Sequence, residues 1–339
     1  MSPVSRSHVV VAPDKFKGTL SAPRVAAAVE RGLREAVPDL EVRCLPVADG
    51  GDGTVDAAVA AGFLRVGRWV TGPVGKPVAA SFAVRGTTAV VEVASTSGLA
   101  LLDEPAPLTA TSTGVGELLV SALDSGARRI VLGVGGSACT DGGRGMLEAI
   151  GDRDFTDVEV VLASDVDNPL LGPSGAAAVY GPQKGATPEQ VEVLEERLAR
   201  FAEEIGPEYV DVPGAGAAGG IGFAALAVLG ATRRPGIEVV LELVGFAESV
   251  AGARLVITGE GSLDAQTRHG KAPVGVATAA GSVPTIAVAG RATVDPAELG
   301  LRGAYALLDV EPDLARCLAA PEPLLERLAG RIAADWLGE

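Results

Sequence analysis

Residues Ile130–Gly145, IVLGVGGSACTDGGRG, constrain the fold of this chain more than any other stretch. An apolar run of strand type passes into a loop made mostly of Gly, Ser, Thr and Asp, and the helical pattern MLEAI follows. Strand, glycine turn, helix is the order in which a parallel α/β sheet offers backbone N–H groups to an anionic ligand. Ser137, Thr140 and Asp141 add side chains able to contact a hydroxyl, a phosphate or a metal.

The composition supports such a sheet. Hydrophobic residues are 47% of the 339 and aromatics only 4%, so the core must be built of Val, Ala, Leu and Ile. That suits parallel strands buried on both faces. The length fits two domains or one large one. A formal net charge of -15 argues against nucleic acid or an anionic membrane as partner. Cys44, Cys139 and Cys317 are scattered and odd in number, which points to a reducing cytoplasm and no disulfide framework. With only His8 and His269, histidine-rich zinc sites and most Ser-His-Asp arrangements are excluded. The apolar run Val9–Ala12, ended by Pro13, is too short for a signal peptide or a membrane span.

In chain order, HVVVA (8–12) reads as a buried strand, and Ser21 with Pro23 as the start of a helix. EVRCLPV (41–47) is a second strand, followed by the loop ADGGDGT and a helix over 55–61. Residues 68–95 read as antiparallel strands. Thr187-Pro188-Glu189-Gln190 is a capping-box helix start. Leu255–Thr258 reads as a strand that ends at Gly259-Glu260. The expectation is an α/β protein of two α/β domains with the active cleft between them. A discontinuous domain takes 1–72 and 254–339, and 73–253 is inserted as the second.

Five expected strands deliver polar or acidic residues just past their carboxyl ends. These are Asp14, Asp49 with Asp52, Ser137 with Asp141, Asp165 with Asp167, and Glu260. Ligands of open α/β sheets bind there. One such Asp is ordinary turn chemistry, but five at equivalent places favour a site. Two stretches fit the dinucleotide fingerprint, Gly133-x-Gly135-x-x-Ala138 and Gly214-x-Gly216-x-x-Gly219. In the first, no helix opens at the third small residue, and the second lacks a preceding strand. The phosphate-loop pattern fails because Ala272 follows Gly270-Lys271. What remains is glycine loops, carboxylates and the loop cations Lys15, Lys17, Lys184, Arg268 and Lys271, an inventory suited to Mg²⁺-assisted phosphoryl transfer.

Six blocks, taken together and in order, resemble the type-1 glycerate kinases: APDKFKGTLSA (12–22), PVADGGDGT (46–54), GVGGSACTDGG (133–143), SDVDNPLLGPSGAAAVYGPQKGA (164–186), PGAGAAGGIG (213–222) and ITGEGSLDAQTRHGKAPVGVA (257–277). The resemblance implies ATP-dependent phosphorylation of glycerate, with Mg²⁺, to 2-phosphoglycerate. It also implies one flavodoxin-like domain and another related to the restriction-enzyme fold. By motif it places Asp49, Asp52, Asp165, Asp167, Lys17, Lys184, Glu260, Asp264 and Lys271 in the active cleft. Placement past the strand ends then makes Asp165 the preferred base for the acceptor proton, with Lys17 and Asp49 as further catalytic groups. On the same placement, Gly135, Gly136, Ser137, Asp141 and Arg268 fall to the substrate. Lys184, Glu260, Asp264 and Lys271 fall to the nucleotide, and Asp167 and Asp52 to the metal.

Lys15, Thr140 and Ser262 depart from the family pattern. The connection 152–158 is shorter than in relatives, so a more open site or another acceptor is an expectation to test. A kinase of another small hydroxy acid or polyol, and an inactive protein that binds ATP and a hydroxy acid, are the alternatives. The oligomeric state, a homo-oligomer included, stays open at the level of sequence.

Overall fold

The structure is a computed structural model that describes residues 8–268 and 271–338. His269, and Gly270 of the failed phosphate-loop pattern, lie outside the described residues. Among the described residues eleven strands run in chain order: β1 (His8–Pro13), β2 (Val42–Cys44), β3 (Leu64–Thr71), β4 (Pro77–Arg85), β5 (Thr88–Glu92), β6 (Arg129–Gly133), β7 (Glu159–Ala163), β8 (Thr232–Arg234), β9 (Ala253–Leu263), β10 (Thr285–Ala292) and β11 (Ala304–Ala306). They form two sheets. Unit 1 comprises the described residues of Met1–Asp49, Asp56–Ala61 and Ile237–Glu339, and unit 2 comprises Gly50–Val55 and Gly62–Gly236.

These boundaries differ from those expected at 72 and 254. β3 pairs with β4 from Leu64 opposite Val84 to Thr71 opposite Pro77, which ties it to unit 2. The helix Gly236–Leu243, absent from the sequence reading, puts Ile237, Val240 and Leu241 into the same apolar cluster as Val10 and Ala12 of β1.

The sheet of unit 1 has the order β11-β10-β9-β1-β2, with every pairing parallel. Renumbered along the chain, this is the doubly wound 2-1-3-4-5 order, whose topological switch point lies between β1 and β9. Alternation builds the core. Val9, Val11, Leu255 and Ile257 face the helices Ala22–Ala36 and Pro321–Trp336. Val10, Ala12 and Val256 face Gly236–Leu243 and Ala272–Ala280. Ser21 takes the expected N-cap position, with Pro in the first turn, but its side chain makes no capping bond.

The strand expected to end at Thr258 continues to Leu263. β10 runs on beside it, setting Ala289 opposite Glu260 and Arg291 opposite Ser262. Glu260 is therefore a strand residue, held by the sheet on both sides of its position.

The sheet of unit 2 has the order β3-β4-β5-β6-β7-β8. β3, β4 and β5 are antiparallel, as expected for this region, and β5 through β8 are parallel. Its core gathers Phe82, Val91, Ile130, Leu132 and Leu162 with apolar residues of the helices Thr113–Asp124, Arg144–Ile150 and Ile221–Ala227. The helix Pro188–Ile205 opens with the full Thr187–Gln190 capping box.

The carboxyl ends of β6 and β7 converge on residues 50–51. A Cβ on Gly50 would stand 2.8 Å from the Ala163 carbonyl oxygen and 3.0 Å from Gly236 Cα. A Cβ on Gly135 would stand 2.6 Å from Gly51 Cα. Gly50 also has φ of 86°, a left-handed conformation that a side chain makes costly. Gly50→Ala is expected to lose about 1–3 kcal/mol, seen as a lower thermal midpoint. Gly18 has φ of 78° but open space around it, so Gly18→Ala should lose only the backbone part of that.

Candidate active site

In unit 2 four segments meet beyond the parallel strands. Residues 50–54 pack against the loop after β6, where Gly135 N–H donates to the Gly50 carbonyl at 3.4 Å. Residues 94–98 lie along the same loop: Ala138 N–H donates to Ser97 O, Leu99 N–H to Gly136 O, and Gly98 bridges Ser137. The loop after β7 completes the group. Gly136 is exposed, so its backbone is open to a ligand; Gly135 is half-buried with its N–H on Gly50, and Ser137 is buried. The glycines let this loop run flat against its neighbours without a side chain intervening.

Asp141, expected to bind substrate, has its carboxylate committed. Oδ2 accepts from Ser112 N–H and Oγ, both at 2.8 Å, and from Gly145 N–H at 3.3 Å. Oδ1 accepts from Gly143 N–H at 3.0 Å. These donors include the first turn of Arg144–Ile150, so Asp141 caps that helix. Lys184, expected at the nucleotide, is 2% exposed. Its Nζ donates to the Cys139 carbonyl at 2.6 Å and lies 3.5 Å from Thr140 Oγ1. Burial lowers its pKa, and Cys139 and Asp141 oppose that shift.

After β7, Asp165 is exposed and its Oδ1 accepts from Gly236 N–H at 2.9 Å. Asp167, expected at the metal, pairs with Arg233 of β8 at 2.5 Å. Arg233 also donates to the carbonyls of Ser164 and Val166, fixing the path of this loop.

In unit 1 the groups gather at the switch point. Asp14 follows β1 and is 7% exposed. Its Oδ1 accepts from Lys15 N–H at 2.6 Å, with Lys15 Nζ 3.7 Å away. Burial pushes the Asp14 carboxyl up to about 7; Lys15 opposes this, and Asp49 and Glu260 add like-charge repulsion. Burial likewise raises Glu260, against its bonds to Thr267 Oγ1 and to Lys271, 3.7 Å away. Lys17 is exposed in the turn after β1. Arg268, expected to anchor a substrate carboxylate, is paired with Glu298. Asp264 caps its own turn, accepting from Gln266 N–H and Ser262 Oγ, and the Gln266 bond lowers its pKa.

The structure thus brings Gly135, Gly136 and Ser137 together with Asp52 in unit 2, and Asp49, Glu260 and Lys271 together in unit 1. It uses Asp141, Lys184, Asp264 and Arg268 in internal bonds. The candidate set drawn from sequence left out Asp14, although its place after β1 was the available signal. It also left out Glu92 and Ser97. Glu92 ends β5, 8% exposed, and accepts from Val55 N–H at 3.0 Å. The Ser97 hydroxyl is fully buried without a hydrogen-bond partner. No spacing rule marks either residue.

Among the described residues, no three His, Cys, Asp or Glu side chains gather to hold a metal ion. Mg²⁺ does not require such a nest: it keeps waters and binds through one or two carboxylates plus substrate phosphates. The residues present fit an ion of that kind, with Asp52, exposed in residues 50–54, the candidate ligand. No described helix is long and apolar enough to cross a membrane.

The short connection 152–158 leads into the amino end of β7. The loops of the candidate site leave the opposite, carboxyl end.

Comparison with known proteins follows the same blocks. A model described as "Glycerate kinase family" matches residues 9–157 and 152–337, the two stretches meeting at the short connection. The chain is 43% identical to the glycerate kinase of Bacillus subtilis (strain 168), an alignment covering 96% of this chain and 97% of that one. It is 42% identical to the glycerate 2-kinase of Escherichia coli (strain K12), covering 89% and 90%. A Salmonella typhimurium LT2 crystal structure bearing the name glycerate kinase 2 superposes with a TM-score of 0.82 at 38% identity, covering 98% of this chain and all of that one.

Asp141→Ala removes the acceptor for four donors, and a loss of at least about 2 kcal/mol is expected. Chemical denaturation checks it: the midpoint should fall with little change in slope.

Proposed function

Because this chain belongs to the glycerate kinase family, we propose that it transfers the γ-phosphoryl group of ATP to glycerate, at O2 in preference to O3. The observation that carries the reading is the exposed backbone of Gly136 beside Ser137, in a loop held in place by three other segments. Anion recognition by backbone N–H groups needs such fixed donors, especially in a chain whose net charge repels anions. The loop takes the glycerate carboxylate or the phosphoryl group in transit. Lys17, exposed after β1, supplies positive charge, and Lys271 with Glu260 lies at the nucleotide. Asp52 would be the protein ligand of a bound Mg²⁺, which would supply charge neutralisation for the phosphates. The unpaired cysteines suit a reducing cytoplasm.

Asp14 is the favoured acceptor for the hydroxyl proton, because a carboxyl held at about 7 can take and release a proton near neutral pH. Asp165, the choice from sequence, is the competing assignment; its Oδ1 bond to Gly236 gives it a structural use. Asp49 supports Asp14 by like charge.

Glycerate, glycolate, tartronate, erythronate and glycerol offered with ATP test the substrate, and phosphorus NMR reads the product. Glycerate should be preferred, and its phosphorus should couple to the single proton on C2. Preference for another acceptor, or binding of ATP and glycerate without release of ADP, would sink the reading.

Asp14→Asn should lower kcat by about 10²–10⁴ if Asp14 is the base. In the parent, kcat/KM should fall as pH drops through about 7, and the variant should lose that limb. Asp165→Asn leading to the larger loss would reverse the assignment.

The same carboxyl makes a stability prediction. The unfolded chain releases this proton near 3.8 and the native one near 7, so native stability falls as pH rises between those values. Asp14→Asn should therefore raise the thermal midpoint relative to the parent at pH 8, and by less at pH 5.

A further inference from the structure

We infer that Lys184 is a positioning residue for the ligand-binding loop after β6, acting through the Cys139–Thr140 backbone and not by touching the nucleotide. The inference rests on the reading of that loop as the acceptor-binding element.

Three ties secure the loop on either side of Cys139. Residues 136–138 are fixed by Leu99 N–H and by the Ser97 carbonyl. Asp141 is fixed by Ser112, Gly143 and Gly145. Gly142 N–H donates to Gly219 O. Between these anchors, Lys184 Nζ holds the Cys139 carbonyl at 2.6 Å. Thr140 Oγ1 lies 3.5 Å from the same ammonium. The lysine itself is well seated. It closes the short 3-10 turn Pro182–Lys184, where Lys184 N–H donates to Gly181 O and Gly185 N–H to Pro182 O.

The chemistry of the site favours positioning. An ammonium removed from water is costly unless polar partners compensate for it. If Lys184 only filled space, a Leu or Met of similar reach would fill it without that cost. With 2% of its surface exposed, Lys184 has almost no area to offer a phosphate. What it does offer is a fixed carbonyl direction within a few residues of the Gly136 and Ser137 donors. A loop that must aim N–H groups at an anion loses function with displacements well under its own width.

Steady-state kinetics of Lys184→Met, varying glycerate and ATP separately, test the inference, with Ser137→Ala as the reference for the loop. Lys184→Met should raise KM for glycerate by about tenfold or more while KM for ATP stays within about threefold. Ser137→Ala should move the same constant. KM does not depend on how much of the variant is folded, so a destabilised preparation still gives a reading. A purely structural lysine would lower the active fraction and the thermal midpoint with both constants unchanged, and that result overturns the inference. A rise in KM for ATP alone with Lys184→Met, while Ser137→Ala moves glycerate, assigns Lys184 to the nucleotide and overturns it as well. If both variants move KM for ATP alone, the loop is a nucleotide element: the acceptor reading falls while the coupling of Lys184 to the loop stands.

Discussion

Residues 50–51 lie in van der Waals contact with the ends of β6 and β7 only because no side chain stands at Gly50, Gly133 or Gly135. That approach of one backbone to another sets the arrangement of the unit 2 site. It presses the glycine loop after β6 flat, leaves Gly136 exposed, and brings Asp52 into the same neighbourhood. A single Cβ at Gly135 would meet Gly51 Cα at 2.6 Å. The small residues of the sequence motif thus act chiefly through packing, and through packing they make the donors available.

Charge is used in two different ways in the two units. In unit 2 the charged groups Asp141 and Lys184 are consumed internally, one capping the helix Arg144–Ile150 and the other holding a carbonyl. In unit 1, Asp14 and Glu260 stand at the switch point of a parallel sheet with their carboxyls raised by burial. Such a pair is unfavourable for stability and useful for proton transfer, a combination expected of a functional site. The doubly wound strand order explains why they meet: β1 and β9 are neighbours in space although paired residues lie 246 positions apart in the chain, Val9 beside Leu255 and Ala12 beside Thr258.

Membership of the glycerate kinase family agrees with these features across the whole chain, and the short connection 152–158 is no exception. It shortens the return from Arg144–Ile150 to the amino end of β7.

The α/β class, the buried parallel strands, the antiparallel region around 68–95 and the capping box at Thr187 were legible in sequence, because each depends on residues close together in the chain. So was the cluster of motifs at strand ends. The extension of β9 through Glu260 was not, because it depends on pairing with β10, and local glycines read as a loop. The structural commitments of Asp141 and Lys184 were not legible either. A carboxylate or an ammonium in a glycine-rich motif looks the same whether it faces solvent or a buried N–H or carbonyl. The sequence by itself determined which residue types stand beyond each strand. The tertiary structure decided which of them are buried against partners and which remain open, because burial and hydrogen bonding are set by segments distant in the chain.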